Sequence, residues 1–278
     1  MILVTGHKGY IGKKVYDRLL ELGHEVVGID LKNGEDVLEC LPDGQYDFVF
    51  HLSALPRVGY SIENPSYTLK QNVLVTSKLL EWSKDHGVRR FIFSSSSAVN
   101  GDGNGPNSPY GLHKLMSEME CKLYSDLYNM DTVCLRYYNV FSKDQEYGGA
   151  YSTVISAWKE MLNQGLPLRL DGDGTQSRDF IHVDDIVSVN LFCMNYKNSF
   201  GGKNFEVGTG KTLSLNDIKE VVSKYYRVSF VEAPTRPGDV KHTKADTIPL
   251  KKIGWRAVID STEALHDCFR GESSFGNT

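Results

Sequence analysis

Ile2-Leu3-Val4-Thr5-Gly6-His7-Lys8-Gly9-Tyr10-Ile11-Gly12 decides how the chain is read. A short apolar run ended by a glycine has the look of a buried parallel strand. The next residues read Gly-x-x-Gly-x-x-Gly and pass into a helical pattern with Val15, Leu19 and Leu20 as apolar positions. This is a variant of Gly-x-Gly-x-x-Gly and shares its physics. Glycines permit a tight turn and let backbone N–H groups close on a pyrophosphate at a helix N-terminus. Gly6, Gly9, Tyr10, Ile11 and Gly12 are therefore candidate dinucleotide-binding residues. A second strand, 25–29, ends at Asp30, near the spacing of about 20 residues expected of a carboxylate that takes the adenosine ribose hydroxyls. Such a carboxylate repels a 2′-phosphate, so the sequence favours NAD over NADP.

The alternation continues. Residues 46–51 read as a strand leading into Leu52-Ser53-Ala54, and 69–86 as a helix with Leu74, Leu79, Leu80 and Trp82 among its apolar positions. Arg90-Phe91-Ile92-Phe93 is a further strand and delivers the serine run Ser94 to Ser97 at its C-terminal end. A helix over 110–127 and a strand over 132–137 follow. Strands alternating with helices imply an α/β fold, a Rossmann-type doubly wound parallel sheet with ligands at the strand C-termini. Tyr110 and Lys114 stand one helical turn apart, so they project from the same face. A phenol beside a fixed ammonium ionises more easily. A serine hydroxyl from the neighbouring strand end completes a proton-transfer site for a carbinol oxygen.

The second half is less regular. It reads as a helix over 151–165 with Val154, Ile155, Trp158 and Leu162 on one face, a polar loop over 171–179, and then Phe180-Ile181-His182-Val183. Asp184-Asp185 is expected to cap a helix over 186–194. A strand over 205–208 and a helix over 215–226, capped by Ser214 or Asn216, come next. Arg236-Pro237-Gly238-Asp239 is a rigid turn presenting an arginine. The expected division is a mainly NAD-binding domain over 1–140 and a small mixed α/β substrate-binding region over 141–270. Some segments of the latter return to the first domain, and 271–278 is expected to be a disordered tail.

The 278 residues suffice for a sizeable core, and 24% charged with 40% hydrophobic residues is ordinary for a globular protein. A net charge of -4 offers no broad footprint for nucleic acid or anionic membrane. The five cysteines are scattered and form no Cys-x-x-Cys pair, which suits free thiols in a reducing compartment. No apolar run approaches the ~20 residues of a membrane span, and a strand-like N-terminus leaves no room for a signal peptide, so a cytoplasmic location is expected. No His/Cys/Asp group has metal-ligand spacing. His51 and His182 read as structural.

Six motifs together carry a resemblance over nearly the whole chain. They are His51-Leu52-Ser53-Ala54, Phe93-Ser94-Ser95-Ser96, Tyr110-x-x-x-Lys114, Leu135-Arg136-Tyr137-Tyr138-Asn139, the run from Gln176 to Asp185, and Arg236-Pro237-Gly238-Asp239. With the glycine loop they resemble the extended short-chain dehydrogenase/reductase family, in its NAD-dependent nucleotide-sugar epimerase/dehydratase branch. The similarity is greatest to members that epimerise UDP-glucose or UDP-N-acetylglucosamine at C4. It implies a homodimer built through a four-helix interface, from 69–86 and 110–127 of each subunit. It also implies roles. Ser96, Tyr110 and Lys114 are the catalytic residues, Lys114 binding the nicotinamide ribose as well. Leu31, Lys32, Asp36, Val37, Leu52, Ser53, Ala54, Asn72, Ser94 and Tyr137 join the glycine loop and Asp30 around NAD. Ser96, Asn139, Thr153, Val154, Arg178, Arg236, Asp239 and Thr243 hold the sugar nucleotide.

The implied reaction is reversible epimerisation at C4 of a nucleotide-diphosphate hexose through a transient 4-keto sugar. Alternatives are a 4-keto-sugar reductase or epimerase-reductase, a 4,6-dehydratase, and a silent NAD-binding regulator. The dehydratase pattern has Asp-Glu after its catalytic threonine, whereas Ser97-Ala98 follow Ser96 here. The regulator reading conflicts with the retained tyrosine and lysine. The chain departs from the family pattern in four places. Asn100 replaces the tyrosine of Val-Tyr-Gly, 101–108 is short, 30–36 is abbreviated, and Ser142-Lys143 stands for Gly-Pro. Thr243 occupies a position where a bulky tyrosine restricts some members to unacetylated hexoses.

Overall fold

Short β-branched and apolar runs, buried on both faces in the centre and less so at the two edges, assemble the sheet that the alternation predicts. In the computed structural model, which describes residues 1–145, 153–234 and 240–270, its strands are β1 (Ile2–Thr5), β2 (Val26–Ile29), β3 (Phe48–His51), β4 (Arg90–Ser96), β5 (Asp131–Tyr137) and Lys203–Val207. All pairs are parallel, in the spatial order Lys203–Val207, β5, β4, β3, β1, β2. The chain leaves β1 outward to β2 and then crosses to β3 on the opposite side. That reversal makes the β1/β3 end the place where a crevice opens.

The helices are α1 (Tyr10–Glu21), α2 (Val58–Glu63), α3 (Pro65–Leu69), α4 (Val75–Asp85) and α5 (Pro109–Tyr128), with others named by range. One apolar layer joins α1 and Val183–Asn195 to the sheet through Val15, Leu19, Ile186 and Val189. The opposite layer holds α4 and α5 through Leu79, Leu80, Trp82 and Cys121. A third cluster, around Trp158, Ile218 and Phe269, builds the smaller half of the molecule. There Ser177–Arg178 lies between Leu213–Ser214 and His242–Thr243. Asn139–Phe141 pairs with Phe180–His182 and so joins the two halves.

Several local expectations change. Leu20 is 46% exposed rather than buried, because α1 turns only Ile11, Gly12, Val15 and Leu19 inward. The helix expected over 69–86 starts in a π turn, Lys70–Leu74, preceded by α2 and α3. Asp184-Asp185 does not cap the next helix. That helix begins at Val183, and His182 caps it, its Nδ1 accepting from Asp184 N at 3.3 Å. Asp185 instead takes the backbone N–H groups of Val258 and Ile259. Ser214, not Asn216, caps the helix Leu215–Tyr225 and forms a capping box with Asp217. The expected tail 271–278 lies outside the described residues.

Candidate active site

The glycine turn closes as its sequence demands. Gly12 packs on the turn so tightly that a Cβ there would stand 2.0 Å from Gly6 O. This contact brings the first turn of α1 against the end of β1. Asp30, buried at the end of β2, accepts from Lys8 N and Lys32 N, both at 2.8 Å. Each of its oxygens has taken one N–H, and an ionised carboxylate offers about four acceptor sites. Capacity therefore remains for ribose hydroxyls. A turn with glycine at positions 6, 9 and 12 beside this carboxylate fits a dinucleotide.

Next to the turn, Thr5, His51, Ser53 and Thr76 form a closed set of hydrogen bonds. His51 Nδ1 lies 2.8 Å from Thr5 Oγ1, and Nε2 lies 2.9 Å from Thr76 Oγ1. Ser53 Oγ donates to Thr5 Oγ1 at 3.0 Å. Burial, aided by Lys114, pushes the His51 imidazole down to about 3, so it stays neutral. Its place is structural. Asn72 is buried and clamps the loop after β3, its Oδ1 accepting from Leu55 N at 2.7 Å and its Nδ2 donating to Leu55 O at 3.1 Å. Ile11, Val37 and Leu52 are core residues, able to offer a ligand only their backbone. Asp36 Oδ1 accepts from Leu38 N. The Tyr137 ring is buried, and Asn190 Nδ2 donates to its hydroxyl at 2.7 Å.

Ser96 is the last residue of β4 and lies beside Tyr137 on β5. It caps the short turn Ser97–Val99, its Oγ accepting from Ala98 N at 3.2 Å. The hydroxyl hydrogen is left to donate elsewhere. Helix α5 begins at Pro109, with Ser108 as N-cap, so Tyr110 falls in its first turn and Lys114 one turn on. At Gly111 a Cβ would stand 2.4 Å from Ala98 O. Glycine is therefore what lets the start of α5 close on the Ser96 turn. Tyr110 is 5% exposed. Lys114 is fully enclosed: Nζ donates to Ser94 O at 2.6 Å and sits 4.6 Å from the centre of the Phe93 ring. Desolvation brings its ammonium down to about 7, against the pull of Glu118.

Two contributors escaped the sequence reading. Ser61 on α2 is buried, and its Oγ accepts from Tyr110 N at 3.1 Å, satisfying an N–H that the first turn of α5 leaves open. Glu118 is clasped by Arg136 through Nε at 2.8 Å and Nη2 at 2.6 Å. Glu118 stands four residues past Lys114, a spacing that could have flagged it. Nothing local could have flagged Ser61.

On the smaller half, Asn139 Nδ2 donates to Asp179 O at 3.1 Å. Arg178 and Thr243 are register partners on adjacent strands, so their side chains share a face. Arg178 Nη1 donates to Ser177 O and Lys241 O. The Thr243 hydroxyl is buried and has no hydrogen-bond partner among the described residues. Thr153 caps the helix Val154–Asn163 and donates to Gln145 Oε1 at 3.1 Å. Val154 is half-buried against the third cluster. Arg236 and Asp239 lie outside the described residues.

A dinucleotide crevice with a serine, a tyrosine and a buried lysine gathered at its edge defines an NAD-dependent enzyme acting on an alcohol. Residues 2–208 match the NAD dependent epimerase/dehydratase family, and the chain belongs to it as an extended short-chain dehydrogenase/reductase of the nucleotide-sugar epimerase kind. The UDP-glucose 4-epimerase of Mycolicibacterium smegmatis is 28% identical over 95% of each chain. Among solved structures, the UDP-N-acetylglucosamine 4-epimerase of Methanobrevibacter ruminantium in complex with UDP-N-acetylmuramic acid is 30% identical. It superposes with a TM-score of 0.88 over 96% of each chain. The UDP-glucuronic acid 4-epimerase of Bacillus cereus, bound to UDP-glucuronic acid and NAD, is 28% identical, with a TM-score of 0.86 over 96% of this chain and 98% of that one. Among the described residues no group of His, Cys, Asp and Glu could hold a metal ion, and no helix is long and apolar enough to cross a membrane.

Proposed function

We propose that the protein interconverts C4 epimers of a UDP-hexose, plain or N-acetylated, through a 4-keto sugar. The observation that carries this reading is the closing of α5 on the Ser96 turn at Gly111, which gathers Ser96, Tyr110 and Lys114 at one edge of the crevice. When bound, NAD supplies a hydride acceptor that becomes a hydride donor, so none is consumed over the cycle. The glycine turn and Asp30 hold its pyrophosphate and ribose, and Lys114 its second ribose. Tyr110 as phenolate takes the proton of the sugar 4-hydroxyl and later returns it. Ser96 donates a hydrogen bond to O4 as charge develops there. The ammonium of Lys114 stabilises the phenolate. Arg178, with Arg236, suits bidentate recognition of a pyrophosphate. Ser97 and Ala98 provide no acid/base pair for elimination of water, which speaks against dehydration.

Purified protein incubated with UDP-glucose, UDP-N-acetylglucosamine and their uronic acids should yield 4-epimers visible by NMR without added NAD. Stoichiometric consumption of NAD(P)H with no epimer formed would replace this reading by the reductase one.

The same reading includes a homodimer. Met119, Leu123 and Leu127 lie at four-residue spacing along α5, each more than half exposed, and Leu74 next to α4 is 49% exposed. A contiguous apolar stripe of this size is characteristic of an interface. Met119→Glu with Leu123→Glu should convert a dimer to monomer in sedimentation velocity. A monomeric parent protein at micromolar concentration removes the dimer.

A further inference from the structure

Asn100 stands where the family pattern has tyrosine, at the end of the turn that Ser96 begins. Its amide is engaged on both sides. Nδ2 donates to Glu206 Oε1 at 2.7 Å and to Tyr138 OH at 3.3 Å, while Oδ1 accepts from Arg136 Nη1 at 2.9 Å. An amide is a side chain that can donate to a carboxylate and accept from a guanidinium at once. From Arg136 the chain of bonds runs to Glu118 on α5, one turn past Lys114, and Glu118 also accepts from Ser95 Oγ at 2.5 Å. From Glu206 it runs the other way: Oε2 accepts from Tyr138 OH at 2.8 Å and from Asp246 N at 2.6 Å. Asp246 belongs to the segment that carries Thr243.

One continuous polar chain thus joins α5, the strand end beside Ser96, the end of β5, the last sheet strand and the sugar-side segment. The side chains of Ser95, Glu118, Arg136, Asn100, Tyr138 and Glu206 are half-buried or buried, so the bonds among them are costly to leave unmade. The Asn100 amide links its Arg136 side to its Glu206 side, and the bond from Asp246 N to Glu206 carries it on to the sugar-side segment.

We infer that Asn100 is a positioning residue, tying the Ser96 turn to the Thr243 segment so that the proton relay is held in register with the sugar it acts on. This rests on the assignment of Ser96, Tyr110 and Lys114 as that relay. Asn100 touches no reacting atom in this account. It acts through Ser96 on one side and Glu206 on the other, and a displacement of about 1 Å at a reacting group costs on the order of 100-fold in rate.

The test is the kinetics of Asn100→Ala in the full-length protein with its bound NAD, using a sugar nucleotide deuterated at C4, alongside UDP titration and NAD content. The expected result is a fall in kcat of roughly 10- to 100-fold, with UDP affinity within about twofold, NAD retained, and a larger primary isotope effect. Asn100→Ala combined with Glu206→Gln should lose no more than the worse single variant, because the two act through one bond. Tyr138→Phe, which removes only a hydroxyl, should show the same pattern more weakly, and decides the matter if Asn100→Ala does not fold. A kcat within about twofold of the parent overturns the inference. So does a parallel fall in kcat, UDP affinity and NAD content, the mark of general loosening, and so does additivity in the double variant. Tyr110→Phe runs beside these. If it is inactive while Asn100→Ala is unimpaired, only the positioning role fails. If it turns over normally, the relay assignment fails and takes this inference with it.

Discussion

The two walls of the crevice are finished to different degrees. On the cofactor side Thr5, His51 and Ser53 are hydrogen-bonded to one another, and Asn72 and Lys114 are fixed on the backbone of Leu55 and Ser94. On the sugar side the Thr243 hydroxyl is buried without a partner among the described residues, and Arg178 donates to backbone carbonyls of its own small sheet. A wall whose side chains are largely fixed by the protein suits a ligand common to a whole family, whereas the wall around Thr243 suits a group that varies between substrates. The difference teaches that chemistry and specificity are separable here, and substitutions on the two walls should have separable consequences.

The largest expected effect is on the finished wall. Tyr110→Phe removes one oxygen from a side chain that is otherwise packed, so fold and NAD content should persist. Turnover should fall by about 10³-fold, within the range for a lost general acid/base. Progress curves by NMR measure it, and retention of more than a tenth of parent kcat would contradict the relay.

Lys114→Met is expected to cost about 100-fold in kcat while stabilising the cofactor-free protein. The Lys114 ammonium titrates near 7 in the fold, against 10.5 when unperturbed. Between those values the unfolded chain holds a proton that the folded chain does not, so stability rises with pH through the window. The cost of the buried charge is then complete below about pH 7 and absent above about 10.5. Methionine carries no such cost. The melting temperature of the variant should exceed that of the parent most at pH 6 to 7, with the gap closing by at most about 1.4 kcal/mol per pH unit towards pH 10. Parallel pH profiles for the two proteins would show that Lys114 is not held against its charge.

The same contrast governs what was legible in the sequence. The glycine turn, Asp30, the serine run and the Tyr110/Lys114 spacing all rest on local rules, a tight turn or one helical period, and the fold displays them where those rules put them. What was hidden depends on the third dimension. Ser61 reaches Tyr110 N from a helix that no strong apolar period announces. The His182 cap displaced the expected aspartates because Asp185 is claimed by Val258 and Ile259, far along the chain. In the sequence Asn100 is only a departure from the family pattern. Its meaning appears only once Arg136 and Glu206 are seen on either side of it.

The smallest effect sought is the one that most sharpens the comparison. Thr243 faces the same side as Arg178 and is half-buried. If the space beside it admits the 2-acetamido group, Thr243→Tyr should reduce kcat/KM for UDP-N-acetylglucosamine by roughly tenfold or more. UDP-glucose should stay within about twofold, since steric exclusion from a pocket is worth about 1–3 kcal/mol. A drop of equal size for both sugars would mean that position 243 shapes the segment as a whole rather than the acetyl pocket. In that case selection by size would have to be sought among the other residues of the unfinished wall. The sign of the difference matters more than its size: because the Thr243 side chain takes no part in the polar chain that ties its segment to the Ser96 turn, Thr243→Tyr should leave the C4 isotope effect for UDP-glucose unchanged, and a shift in it would show that the substitution moves the segment which that chain holds.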